Sequence, residues 1–330
     1  MMYRQLGTSD LNVPVVIFGA WAIGGWWWGG TDDENAIAAI REALELGISC
    51  IDTAPMYGFG HSERLVSKAV KGWRNKVLIA TKCGLRWDRG DGEFWFDTSD
   101  NASNPVSVYH NLRYDSILEE CDRSLKRLDT DYIDLYQCHW PDPTTNLDET
   151  LDAMFNLQKQ GKIRAIGVSN FSVEMMETCL KRFALASDQP KYSLLSRDIE
   201  KEILPFCRSR NVGIIAYSPL EHGLLTGKFS AEHGFPPGDE RVKEPWFKPE
   251  NRRRALKAVE HVKPIAQDLG ITLAQLAISW IISQPGVTAA IVGARNPRQV
   301  QENASAVDFS LDNEQIELIR REFEALGELS

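Results

Sequence analysis

Two hydrophobic rhythms alternate along the chain. Short apolar runs fall at residues 13–20, 48–52, 77–82, 132–139, 165–169, 187–189, 213–217 and 288–292, the one at 187–189 being the weakest. Between and after them, apolar residues recur three and four apart at 33–46, 62–70, 114–128, 147–160, 172–182, 199–209, 252–269, 273–283, from 297 onward, and at 313–326. The first rhythm predicts strands buried on both faces, and the second predicts amphipathic helices. Gly47 and Gly161 stand where two of these helices should stop. Eight strand–helix units with no shift in composition predict one domain over 1–330, built as a (β/α)8 TIM barrel. A doubly wound sheet would carry an early glycine fingerprint. Gly58-Phe59-Gly60 follows a strand, but Glu63 occupies the place of the third glycine, so this segment reads as a tight turn. Short strands at 3–6 and 11–13, around Thr8-Ser9-Asp10, predict an N-terminal β-hairpin that caps the barrel floor. Two long interruptions, 83–111 and 218–248, each follow a strand and so belong on the C-terminal face, as long loops.

Composition narrows the function classes. The 330 residues are 43% hydrophobic and 25% charged, with a formal net charge of −9, as in a soluble globular protein. No dense basic run exists. Arg252-Arg253-Arg254 reads as a solvated helix face, and nucleic acid is not expected as a partner. No apolar stretch is long enough to span a bilayer, and Met1 to Gly7 lacks the apolar core of a signal peptide. The six cysteines are scattered without C-x-x-C spacing and read as reduced core thiols. These features predict a cytoplasmic protein without a membrane partner; a homo-oligomer is compatible with them.

The chemistry lies at strand ends. Asp52 closes the second strand, with Tyr57 five residues on; Lys82 closes the third and His139 the fourth. On the rim of a parallel barrel these ends are neighbours, which gathers a carboxylate, a phenol, an ammonium and an imidazole. Such a set suits proton transfer to a carbonyl oxygen. A phenol with its ordinary pKa of about 10 is a poor acid or base near neutrality. Lys82 is expected to lower that value, Asp52 to hold Lys82 charged, and His139 to donate a hydrogen bond to the same oxygen. Each residue alone has a plainer role in an ion pair, rim packing or a bond to a backbone carbonyl; it is their convergence that points to catalysis. The other histidines, His61, His110, His222, His233 and His261, show no metal-ligand spacing, and no metal is expected. Lys82 by itself would also suit a Schiff-base lyase.

An ordered series of motifs covers nearly the whole chain. It runs Phe18-Gly19-Ala20-Trp21, Ile51-Asp52-Thr53-Ala54, Tyr57-Gly58, Ser62-Glu63, Ala80-Thr81-Lys82 and Leu125-Lys126-Arg127-Leu128. It continues through Asp131 to Leu135, His139-Trp140-Pro141-Asp142, Gly161 to Phe171, Tyr217-Ser218-Pro219-Leu220 and Gly293-Ala294-Arg295. The series resembles the aldo-keto reductases, in particular the bacterial inositol-cluster and general-stress branch related to potassium-channel β subunits. The resemblance implies that Tyr57 is the catalytic acid, with Asp52, Lys82 and His139 as partners. It implies cofactor binding by Gly19, Ala20 and Trp21, by Ser169, Asn170 and Gln189 at the nicotinamide carboxamide, and by Tyr217 against the ring. Ser218, Pro219, Leu220, Gly223 and Lys228 resemble a loop folded over the pyrophosphate; Gly293, Arg295, Gln299, Glu302 and Asn303 resemble the adenosine end. The residues add their own argument there. Asn296-Pro297 has the form of a helix N-cap followed by proline, offering free N–H groups to a phosphate, and Arg295 beside it can grip a ribose 2′-phosphate. NADPH/NADP+ is therefore expected ahead of NADH. Trp26-Trp27-Trp28 is unusual, and Trp21, Trp27, Trp87 and Trp140, with Trp95, are expected to line an aromatic substrate pocket or to pack on the rim. The expected partner is a small carbonyl or sugar. The activity expected is reduction of aldehydes or ketones; the alternatives are sugar or cyclitol oxidation and a regulatory subunit with little turnover.

Overall fold

The computed structural model describes residues 1–235, 239–327 and 329. An antiparallel hairpin of β1 (Tyr3–Gln5) and β2 (Asn12–Pro14) leads into the first barrel strand, β3 (Val16–Gly19). The strands β4 (Cys50–Asp52) and β5 (Leu78–Cys83) follow. A small sheet outside the barrel comes next, formed by β6 (Leu85–Arg86), β7 (Glu93–Ser99) and β8 (Pro105–His110). The barrel resumes with β9 (Ile133–Cys138), β10 (Ile163–Ser169), β11 (Ser187–Gln189), β12 (Gly213–Ala216) and β13 (Val287–Gly293). Its eight strands close in the order β3-β4-β5-β9-β10-β11-β12-β13, and every neighbouring pair is parallel. The chain is a (β/α)8 barrel with an N-terminal hairpin, as the alternating rhythm predicts.

The helices are α1 (Asp33–Glu45), α2 (His61–Ala69), α3 (Tyr114–Leu128), α4 (Leu147–Lys159), α5 (Val173–Leu180), α6 (Ile203–Arg210), α7 (Pro249–Asp268), α8 (Leu273–Ile282), α9 (Pro297–Ala304) and α10 (Asn313–Glu324). Side-chain caps fix several starts: Asp32 accepts from Asn35 N, Ser172 from Met175 N, and Thr272 forms a capping box with Gln275. Among the described residues, no single helix is long and apolar enough to cross a membrane.

Five expectations are revised. The run 13–20 is two strands because the chain switches partner at Val15: the hairpin ladder ends with Val15 N donating to the Met2 carbonyl at 3.0 Å, and Val16 already pairs with Ala290 of the barrel. The run 199–209 starts as a 3-10 turn at Asp198–Glu200, and α6 begins only at Ile203, which keeps Pro205 within the first helical turn. The interruption 83–111 is ordered as β6, β7 and β8, its tip closed by Asp100, whose carboxylate accepts from the backbone of Ala102 and Asn104. The interruption 218–248 holds three short 3-10 turns, and its residues 236–238 lie outside the described residues. The basic triplet is a solvated face only in part, with Arg253 exposed and Arg254 half-buried. Arg252 is buried and donates to the carbonyls of Ala231 and His233, tying that insertion to α7.

Two apolar layers hold the barrel. One lies between strands and helices, with Ile51, Ile79, Tyr136 and Ile166 facing Ile40, Leu65, Ile117 and Leu157. The other fills the barrel, where Ile17, Cys50, Ala80, Leu135, Ala165, Ile215 and Ala289 meet Leu6, Leu11 and Val13 from the hairpin. The hairpin is thus the floor of the inner core. Leu11 is 1% exposed, so Leu11→Ala should cost about 2–5 kcal/mol. Urea denaturation followed by circular dichroism measures it; an unchanged midpoint would mean that the floor carries no load.

Candidate active site

Strand ends converge on one ammonium. Lys82, near the end of β5, is fully buried. Its Nζ donates to Asp52 Oδ1 at 2.6 Å, to the Thr53 carbonyl at 3.0 Å and to Tyr57 Oη at 3.1 Å. All three ammonium protons are thereby used. Burial alone would push the Lys82 pKa down, but Asp52 and Tyr57 outweigh it and the value is raised, so the lysine is charged. Tyr57 does not behave as expected from Lys82 alone. Burial pushes the phenol above its ordinary value, and the pull of Lys82 in the other direction, itself opposed by Asp52, does not overcome it. His139 follows β9, with its ring 5.9 Å from that of Tyr57 and nearly perpendicular to it. Burial first, then Lys82 and His110, hold the imidazole well below its usual pKa, so it is neutral and offers one donor and one acceptor.

The backbone behind Tyr57 explains its placement. Gly58, Phe59 and Gly60 all adopt positive φ. A Cβ on Gly58 would stand 2.1 Å from the Gly24 carbonyl oxygen, so only glycine lets the first rim loop pack on this turn. Ser62 Oγ donates to the Ala20 carbonyl at 2.8 Å, and Asn101 Nδ2, from the turn after β7, donates to the Gly24 carbonyl at 2.9 Å. The turn is therefore braced by the exits of β3 and β7.

A cleft of ≈ 860 Å³ opens over Tyr57 and runs to the start of α9. Asp52, Tyr57 and His139 line it, with Lys82 behind them. So does every residue expected to hold a nucleotide: Gly19, Ala20, Trp21, Ser169, Asn170, Gln189, Tyr217, Ser218, Pro219, Leu220, Gly223, Lys228, Gly293, Arg295, Gln299, Glu302 and Asn303. Near Tyr57 the wall is neutral and polar. Tyr217 Oη donates to Asn170 Oδ1 at 3.1 Å, and Asn170 Nδ2 donates to Ser169 Oγ at 3.0 Å. Gln189 lines the cleft, but its Nε2 is engaged, donating to Asp52 Oδ2 at 2.8 Å. At the far end Lys228 and Arg295 bring positive charge beside the first turn of α9, whose Asn296 cap accepts from Gln299 N. Amide and hydroxyl groups at one end and cations with free helix N–H groups at the other suit a nicotinamide nucleotide.

Trp21, Trp27 and Trp140 also line the cleft, together with Trp26, Trp28 and Trp95. Trp87 does not. It packs edge-on against Phe59 at 5.4 Å, in the apolar cluster under the wall. Trp26 and Trp27 stack at 3.6 Å between ring centroids, and Lys243 lies 4.5 Å over the Trp27 ring, so the first rim loop meets the second insertion across the opening. Lys191, Arg241, Lys243 and Glu244 line the cleft without having been singled out in the sequence, as does His222, which was set aside there for lack of metal-ligand spacing. Their only common signal is membership of, or a packed position against, the long insertion. Glu221 anchors that loop: buried, it accepts from Ser193 Oγ and Ser196 Oγ and pairs with Lys191 at 3.2 Å, which holds Glu221, His222 and Gly223 at positive φ.

Residues 15–322 match the aldo/keto reductase family. The chain belongs to that family. Aldo-keto reductase YhdN of Bacillus subtilis is 40% identical over 317 residues, covering 95% of this chain and 91% of its own. The NADH-specific methylglyoxal reductase of Escherichia coli is 38% identical over 327 residues, covering 97% and 98%. A probable voltage-gated potassium channel subunit beta of Arabidopsis thaliana is 34% identical over 322 residues, covering 93% and 92%. Among solved structures, the glycerol dehydrogenase AKR11B4 from Gluconobacter oxydans superposes with a TM-score of 0.88 at 38% identity, covering 98% of this chain and 96% of that one. This aldo-keto reductase is thus an oxidoreductase of a family that uses nicotinamide cofactors and small carbonyl substrates.

The neutral imidazole has a measurable consequence. A buried base kept below its ordinary pKa of 6.5 adds stability above that pH, and this is lost as the pH falls toward the depressed value. The ring 15N shifts of His139 should therefore stay neutral-like as the pH is lowered through 6.5; ordinary titration there would contradict the account.

Proposed function

We propose that this aldo-keto reductase is an NADP(H)-dependent reductase of aldehydes and ketones, with the whole chain, 1–330, as one barrel domain. The observation that carries the reading is the fully used Lys82 ammonium, hydrogen-bonded at 3.1 Å to a phenol that faces the cleft. Tyr57 Oη donates its proton to the carbonyl oxygen of the substrate. Lys82 stabilises the phenolate left behind, Asp52 keeps Lys82 charged, and the neutral His139 donates a hydrogen bond that orients the same oxygen. Bound nicotinamide nucleotide supplies the hydride. Asn170 and Tyr217 hold each other at the nicotinamide end, and the aromatic walls exclude water from the reacting carbon. Tyr57 holds a proton to give at neutral pH, and because burial raises its pKa the transfer depends on Lys82 to stabilise the phenolate. A lyase reading is disfavoured, because Lys82 is charged and has no free electron pair for a Schiff base.

Arg295 supports the preference for a 2′-phosphate. It is exposed beside α9, and among the described residues its guanidinium reaches only the Gly30 carbonyl, at 3.4 Å, which leaves most of its donors for a ligand. The E. coli relative is named NADH-specific, so this preference is the part of the reading that needs its own test. Sugar or polyol oxidation is the second reading, favoured by the aromatic walls and by the glycerol dehydrogenase likeness. The six unpaired, buried thiols suit a reducing compartment such as the cytoplasm.

Tryptophan fluorescence titration with NADPH and NADH tests the cofactor. Arg295→Ala should weaken NADPH by roughly tenfold or more, for a lost charge-assisted contact, with NADH little changed; equal loss for both would remove the phosphate role. Tyr57→Phe should lower kcat for 4-nitrobenzaldehyde reduction by about 10²–10⁴-fold while nucleotide affinity holds. A near-wild-type rate in that variant would remove Tyr57 from the chemistry.

A further inference from the structure

The oxygen of Asp52 that faces away from Lys82 is held by two amides. Asp52 Oδ2 accepts from Gln189 Nε2 at 2.8 Å and from Gln137 Nε2 at 3.3 Å. The two amides touch each other, with Gln189 Nε2 3.2 Å from Gln137 Oε1. A carboxylate can only accept, so both glutamines must turn their nitrogens toward it. Gln189 is on the cleft wall, but Gln137 is not. Gln137 is fully buried on β9, in register with Lys82 and two residues before His139, on the same face of the strand. Its own level of the barrel holds Lys82 and Gly167, and the layer directly below holds the apolar Ala80, Leu135 and Ala165. A buried amide among such neighbours is costly unless its polar atoms are used, and those of Gln137 are used on Asp52 and Gln189 alone.

We propose that Gln137 is a positioning residue for carbonyl reduction: with Gln189 it clamps Asp52, so that the opposite carboxylate oxygen stays on the Lys82 ammonium. The proposal rests on the reading of Tyr57 as the acid. The clamp acts at a distance from the substrate, through Asp52, Lys82 and Tyr57 in turn.

The sign of its effect on pH dependence follows from the neighbours. The Asp52 charge raises the proton affinity of both Tyr57 and Lys82. A loosened or neutralised Asp52 therefore lets the Tyr57–Lys82 pair give up its first proton at lower pH, and the alkaline limb of activity moves down. Three other titratable groups face this cluster. His139 is held neutral by burial, Lys82 and His110, while Cys50, two residues before Asp52, and Tyr217, across the cleft, are both driven up by burial. None of the three supplies that limb.

The test compares kcat/KM against pH for wild type and Gln137→Met, using NADPH and 4-nitrobenzaldehyde. Methionine keeps the volume and removes the donor. The alkaline limb should move down by about one pH unit and kcat should fall by roughly tenfold. KM and the fluorescence-measured nucleotide affinity should hold, since Gln137 does not line the cleft. Gln137→Asn keeps a neutral amide but is one methylene shorter and withdraws the donor from Asp52, so its alkaline limb should also move down. A folded Gln137→Met enzyme with an unmoved limb overturns the proposal. If that variant does not fold, a wild-type profile for Gln137→Asn overturns it equally. A wild-type protein that neither binds NADPH nor reduces the aldehyde overturns the reductase reading first, and the clamp's role with it.

Discussion

A lysine with 0% exposure cannot stay charged without partners, and the rim of this barrel is organised around that constraint. Asp52 comes from β4, the Thr53 carbonyl from the residue after it, and Tyr57 from the turn that follows. One short segment therefore supplies all three acceptors. The turn can close over Lys82 because Gly58 packs against Gly24, and because Ser62 holds the start of α2 to the exit of β3.

Burial then acts on each group according to its charge. It drives the His139 imidazole down and the Tyr57 phenol up, in both cases toward the neutral form. Lys82 escapes the same fate only through the anion beside it. The result is one charged pair, Asp52 and Lys82, beside the neutral Tyr57 and His139, facing a cleft whose wall includes Trp21, Trp27, Trp28 and Trp140. Polar groups in such a place are held in position by the fold before anything enters the cleft.

Much of this was legible in the chain. Asp52, Tyr57, Lys82 and His139 were readable because a parallel barrel carries strand ends to one rim, so position in the strand substitutes for distance. The residues that the motif order marks for a nucleotide all line the cleft. What escaped depended on contacts that sequence spacing does not encode. Trp87 carries the same side chain as Trp140, but the Phe59 ring draws it under the wall. The net rise of the Tyr57 pKa required the depth of burial to be weighed against one nearby cation. The β7–β8 pairing was hidden because Glu93 to Ser99 alternate weakly, and their partner strand lies beyond a turn. Gln137 had a signal, a polar residue two before His139 in an apolar strand, and it passed as an ordinary interruption.

The sheet of β6, β7 and β8 stands outside the closed barrel, pairing only within itself. It places Trp95, Phe96 and Asp97 on the cleft, and it reaches the first rim loop through Asn101 and through Thr98, which accepts from Trp26 Nε1. No barrel ladder runs through it. Residues of this part of the cleft wall can therefore be exchanged, or the hairpin lengthened, while the strands that lead to Asp52, Lys82 and His139 keep their register. A wall that can change independently of the barrel ladder is what this separation makes available to redesign.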